Sequence, residues 1–188
     1  PQLGAAASNM SKVSILYDDQ AIYVGAFLYN KPQNIRKQLT ARDGEQRKDV
    51  DYFAVFFDTY NDDQNAVQFL VTTRNVQSDA RLLPNLSSQF GPPSDYSWDA
   101  VWESKVQMHP NGWSLEIKIP YAALRFSKKE IQDWGVNFER YDRGSNENAY
   151  WNKIDPNQNG YVNQFGDITG LKNIIPPLRL SLLHHISA

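Results

Sequence analysis

Asp51-Tyr-Phe-Ala-Val-Phe-Phe-Asp58, then Thr59-Tyr-Asn-Asp-Asp-Gln64, then Asn65-Ala-Val-Gln-Phe-Leu-Val71 is the stretch that decides the fold. Phe53, Val55 and Phe57 recur at period two, and Val67, Phe69 and Val71 do the same, so the pattern predicts two strands each presenting one apolar face. Six such side chains, each worth about 1.5–3 kcal/mol when buried, mark the centre of a core. The polar tract between them is a surface turn. Asp58, Asn61, Asp62 and Asp63 bring together oxygen donors of the kind calcium takes, without the glycine and closing glutamate of an EF-hand loop. Asp and Asn are also ordinary turn formers, so the tract supports two readings.

Upstream, residues 1–10 show no period and read as a loop. Lys12–Tyr17 reads as a strand, Asp18-Asp19-Gln20 as a turn, and Ala21–Tyr29 as a strand apolar on both faces, stopped by Pro32. Pro32–Thr40 has room for one helical turn, and Ala41–Val50 is a charged loop. Downstream, strands are expected at Val76–Leu82, Trp98–Gln107, Trp113–Ile119, Trp134–Tyr141, Asn148–Asn152 and from Leu178 onward. Pro84–Tyr96 and Asp155–Asn163 are loops, and Tyr121–Phe126 is a single helical turn. Short strands at 8–12-residue spacing with turn chemistry between them predict an all-β fold, an antiparallel β-sandwich.

The chain of 188 residues is 41% hydrophobic and 13% aromatic, enough for one sizeable core. Its net charge of −2 and interspersed charges argue against a nucleic-acid partner. It has no cysteine, which excludes disulfides, thiolate nucleophiles and Cys-ligated metals. No apolar run is long enough for a transmembrane helix.

Ile15-Leu-Tyr-Asp-Asp19, Ile22-Tyr-Val-Gly25, Asp51–Asp58, Gly112-Trp-Ser-Leu-Glu-Ile-Lys-Ile-Pro120, Trp134-Gly-Val-Asn-Phe138 and Phe165-Gly-Asp167 follow one another in an order that resembles the family 9 carbohydrate-binding modules. Phe57-Asp-Thr-Tyr-Asn-Asp62, Ser97-Trp-Asp-Ala-Val-Trp-Glu103 and Leu124-Arg-Phe126 are similar to a subgroup at the N-terminus of Bacteroidota envelope proteins, ahead of an outer-membrane barrel. The resemblance implies a jelly-roll-type sandwich over residues 1–175 that lacks the family's first strand. Residues 176–188 would then form a connector or first strand toward a following domain, a β-barrel in that subgroup. It also implies a non-catalytic module of the cell envelope, on the periplasmic or surface side of the outer membrane, with a glycan or polysaccharide as ligand. The alternative is a structural or interaction domain that docks on the barrel or an envelope partner and has lost its sugar pocket.

Sugar-binding relatives clamp a residue between two tryptophans with charged groups and amides around it. The first tryptophan falls near Lys48, the charged groups fall on Ala54 and Leu70, and the second tryptophan falls close to Tyr161, with Gln158 and Asn159 at the amides. Trp98 and Trp102, four apart, would share a strand face beside the Pro84–Tyr96 loop. They make either a second aromatic platform or an anchor for that loop. Trp151 is either ligand-facing or core, while Trp113 and Trp134 are in phase with the core. Arg42, Arg125 and Arg140 with Asp43, Asp51, Glu116 and Glu139 read as ion pairs on a solvated sheet face. No carboxylate pair stands out for glycoside hydrolysis, and His109, His184 and His185 have no metal-ligand spacing, so no enzyme is expected.

Overall fold

The computed structural model describes residues 4–44, 48–83 and 94–176. Its strands in chain order are β1 (Ser11–Tyr17), β2 (Ala21–Tyr29), β3 (Tyr52–Asp58), β4 (Val67–Thr72), β5 (Gln77–Leu82), β6 (Ser94–Asp95), β7 (Glu103–His109), β8 (Gly112–Pro120), β9 (Ile131–Asp142), β10 (Glu147–Tyr150) and β11 (Gly166–Lys172). One sheet runs β1-β2-β8-β7; the other runs β10-β9-β3-β4-β5-β6, with β11 also paired to β9. Every pairing is antiparallel. The described residues contain short 3-10 turns but no α-helix. The expected β-sandwich is the observed architecture.

The predicted hairpin lies at the centre of the larger sheet. Phe53 stands opposite Val71, Val55 opposite Phe69 and Phe57 opposite Val67, which keeps all six on the inner face. They meet Trp113, Leu115, Ile117 and Ile119 of β8 and Trp134, Val136 and Phe138 of β9 in one continuous core. Trp113 and Trp134 are structural, as their phase predicts. The outer face of β3 is covered as well: Ala54 and Phe56 pack with Ala66, Leu70, Leu82 and Val162 in a second, smaller cluster. This central strand therefore has no solvent side.

Local chemistry explains the turns. Asp18 Oδ1 accepts the amides of Gln20 and Ala21 at 2.8 and 2.9 Å, closing the β1–β2 turn. Gly112 lets β8 start against β2, since a side chain there would come within 2.2 Å of the Leu28 carbonyl oxygen.

Two expectations shift. The strand placed at Trp98–Gln107 begins only at Glu103, so Trp98 and Trp102 sit in the loop before it. β11 was not anticipated, because Gly166, Gly170 and Asp167 break its alternation. The strand expected from Leu178 lies outside the described residues, as does most of the Pro84–Tyr96 loop.

Candidate functional site

The two long sides of the sandwich differ. Along β5 and β7, Asp79 organises a seal. Its Oδ2 accepts the Ala100 amide at 2.7 Å, its Oδ1 accepts the Trp102 indole N–H at 3.2 Å, and Arg42 pairs with it from the surface. Burial pushes the Asp79 carboxyl above the usual range, opposed by the bonds from Trp102 and Ala100 and by the Arg42 charge. Trp102 is only 5% exposed and meets Phe69 edge-to-face at 5.3 Å. Trp98 packs on Phe69 at 5.8 Å and carries the Arg81 guanidinium 5.4 Å from its ring centre. Trp102 is thus buried as an anchor of the loop on the core, with half-buried Trp98 packed beside it.

Along β1 the sandwich is open. Asp18 N–H donates to Ala21 O at 3.1 Å and Tyr29 N–H to Met10 O at 3.0 Å, so even-numbered β1 residues bond to β2. Ser11, Val13, Ile15 and Tyr17 turn their amides and carbonyls to the outer edge. Between this edge and β9–β11 lies a groove of about 910 Å³. Core residues Phe53, Val136 and Phe138 form its floor, and Ala149, Tyr150, Trp151 and Ile168 line its far wall. Asn9, Ser11, Lys12, Ser14 and Arg140 contribute polar lining.

Trp151 is the exposed aromatic of this groove, with 56% of its surface free. Its amide donates to the Phe138 carbonyl at 3.0 Å, and its ring lies 5.8 Å from that of Phe138. Its other support is Gly166, where any side chain would approach the indole to 2.6 Å. The glycine thus lets the indole lie against the start of β11.

Tyr161 sits elsewhere, on the outer face of the larger sheet. It packs on Phe56 at 5.8 Å, Phe165 at 5.5 Å and Tyr150 at 6.4 Å. Burial, reinforced by Tyr150 and Glu139, raises its hydroxyl well above the ordinary phenol range. Tyr52 Oη donates to Glu139 Oε1 at 3.0 Å beside it. The face bearing Ala54 and Leu70 is thus covered by the chain's own aromatics. Asn159 is exposed, its carbonyl accepting Asn163 Nδ2 at 3.1 Å, and the Gln158 amide donates to Asp155 O at 3.1 Å. The structure does not bring Trp151 and Tyr161 onto one surface.

The hairpin turn uses its oxygens internally. Asp58 Oδ2 accepts the amides of Asp62 and Asp63 at 2.9 and 2.8 Å, and its Oδ1 accepts the Tyr60 amide at 3.2 Å. Asp62 accepts from Gln64 N–H at 2.9 Å, Asn65 N–H at 2.8 Å and Asn65 Nδ2 at 2.8 Å. Asn61 and Asp63 take left-handed backbone angles, φ 51° and 59°, as turn residues do. Among the described residues no three His, Cys, Asp or Glu side chains converge as metal ligands. The carboxylates of Asp58 and Asp62 thus cap loop amides, which is the turn-forming role of these residue types.

Charges expected on a solvated face are buried instead: Asp51, Glu139 and Arg140 all lie in the interior. Arg140 falls in phase with Trp134, Val136 and Phe138 on the inner face of β9, and Glu139 on the outer face, where Tyr52 reaches it.

The sequence matches no protein-family model and no curated protein. Solved structures are similar in fold. A family 9 carbohydrate-binding module from Caldicellulosiruptor kristjanssonii in complex with cellotriose aligns at a TM-score of 0.57 and 16% identity, over 100% of this chain and 86% of that one. Its complex with glucose gives 0.57 and 17%, over 93% and 84%. A candidate carbohydrate-binding protein from Bacteroides uniformis gives 0.66 and 12%, over 86% and 78%. At these identities the likeness establishes architecture: the chain has the antiparallel β-sandwich fold of the family 9 carbohydrate-binding modules.

Proposed function

We propose that the chain is a non-catalytic carbohydrate-binding module of a larger cell-envelope protein, held on the periplasmic or surface side of the outer membrane. In this reading a glycan lies in the β1–β9 groove with one apolar sugar face on Trp151. The observation that carries the reading is the exposed Trp151 ring, supported by Phe138 and Gly166 at the rim of an open groove. Indole faces stack on the C–H faces of pyranoses, while Asn9, Ser11 and Ser14 offer hydrogen bonds to hydroxyls. The sugar ligands of the structural neighbours lend support. Among the described residues that line the groove there is no Asp or Glu.

The test is calorimetric titration of the chain with cello-oligosaccharides and with a panel of neutral and acidic glycans. Binding that weakens tenfold or more in Trp151→Ala, about 1.4 kcal/mol, supports the reading. Flat responses across the panel refute it.

A second reading has its own observation. Val13, Ile15 and the apolar groove floor adjoin backbone groups that are unpaired among the described residues, and these suit an extended polypeptide that adds a strand to β1. The chain would then be an interaction domain docking on a barrel or envelope partner. Capture of such a partner would depend on Ile15 and be indifferent to sugar.

A further inference from the structure

One end of the groove is built on buried charge. Arg140 donates from Nη1 to Met10 O at 3.0 Å and Ser11 Oγ at 3.3 Å, and from Nη2 to Tyr29 O at 2.8 Å. Its partner is Asp142, 3.8 Å away. Asp142 Oδ2 accepts Asn30 Nδ2 at 2.9 Å and Asn9 Nδ2 at 3.1 Å, and its Oδ1 accepts the Ser145 amide at 3.2 Å. These contacts hold the segment before β1 against the larger sheet. Ser8 adds to them, bonding Glu147 through its amide at 2.9 Å.

Asp51 lies within electrostatic reach of the same cluster and is 1% exposed. Its Oδ1 accepts the Arg143 amide at 3.0 Å, and its Oδ2 is buried with no hydrogen-bond partner among the described residues. Its backbone is pinned: the amide donates to Arg36 O at 3.1 Å and the carbonyl accepts the Thr73 amide at 3.0 Å. Other charges nearby are engaged elsewhere. Arg36 and Arg143 both reach Asp49 at the surface, at 3.8 and 3.9 Å, and Arg143 also donates to Tyr141 Oη. Glu147 is held by Ser8.

Two buried carboxylates therefore lie near one buried guanidinium, which among the described residues pairs with Asp142 alone. With both ionised the cluster carries one surplus negative charge, and the orphaned Asp51 oxygen is where a proton belongs. Burial, with Asp142 adding to it, pushes the Asp51 carboxyl up to about 6. Asp51 is fixed by its backbone. Asp142 instead holds the segment before β1 through the Asn9 side chain.

We infer that Asp51 and Asp142 form a proton-sensitive latch on the N-terminal wall of the Trp151 groove. With the proton in place, Asp142 and Arg140 hold Asn9, Met10 and Ser11 against the larger sheet. When the proton leaves, repulsion between the carboxylates loosens that wall and widens the groove. The inference rests on the groove being the ligand site only for its biological meaning. The latch itself is tested without ligand.

The experiment is amide hydrogen exchange at pH 5 and pH 7.5, corrected for intrinsic rates, read at Ser8 and at Tyr29, whose amide donates to Met10. The folded carboxyl sits above its unfolded value of 3.8, so folding gains protection as pH falls through about 6. Asp51 stays buried when the wall opens, so only part of its shift is released, and protection at both amides should rise severalfold, with a ceiling of about tenfold, from pH 7.5 to pH 5. Asp51→Asn should hold the acid-level protection at both pH values, and Asp142→Asn should be weakly protected at both. The same pH ratio in Asp51→Asn as in the parent, or no change in the parent, overturns the latch. Should Asp51→Asn fail to fold, carbon-detected titration of the Asp51 carboxyl in the parent decides: a midpoint at or below the usual carboxylate range overturns it.

Discussion

The β5–β7 side and the β1 side of this sandwich solve the same problem in opposite ways. Both are places where two sheets part and expose a core. On the first, a loop folds Trp98 and Trp102 back over Phe69, and Asp79 takes the indole and the Ala100 amide, so apolar and polar demands are met together. On the second, β1 leaves alternate backbone groups unpaired among the described residues, and Phe138 is reached from outside. The contrast teaches that tryptophan is not a ligand signal by itself. What separates Trp102 from Trp151 is whether the indole N–H and the ring face are used up by the chain.

The largest effect that would break this contrast is at the sealed side. Trp102→Ala should destabilise by about 3–5 kcal/mol, because it opens a cavity beside Phe69 and removes one of the donors to the buried Asp79. Urea denaturation measures it, and a loss near zero would mean that this side is not sealed. Trp151→Ala should cost only about 1 kcal/mol, since roughly half its surface is already in water. A loss of 3 kcal/mol or more would make the open side a closed one. Gly166→Ala sharpens the comparison by evicting the indole, and tryptophan emission should shift to the red with little change in stability. The smallest effect belongs to the hairpin turn. Asp62→Ala should cost about 0.5–1 kcal/mol through lost bonds to Gln64 and Asn65. Chelator should leave the parent's melting midpoint unmoved.

The fold was readable because period two in Phe53–Phe57, Val67–Val71 and Trp113–Ile119 is dictated by the pleat, and those strands obey it. The site was less readable, for physical reasons. Whether Trp98, Trp102 or Trp151 meets solvent depends on Asp79, Phe138 and Gly166, which are distant in sequence and carry no local signature. Tyr161 aligns near a clamp position, yet its ring packs against Phe56, Phe165 and Tyr150, and only tertiary packing says so. Asp51 continues the phase of Phe53, Val55 and Phe57, and Arg140 that of Trp134, Val136 and Phe138, so their inward placement was legible and only their charge pointed to the surface.

The doubly covered β3 has a kinetic consequence. A strand sheltered on both faces, with β4 and β9 bonded along its flanks, has no route to exchange its amides short of unfolding the whole domain. Its slowest protons should report the global unfolding rate, while those of Ser8 and Tyr29 report local breathing at the rim. One spectrum of the intact chain then carries its own internal clock, against which every opening of the groove wall can be timed.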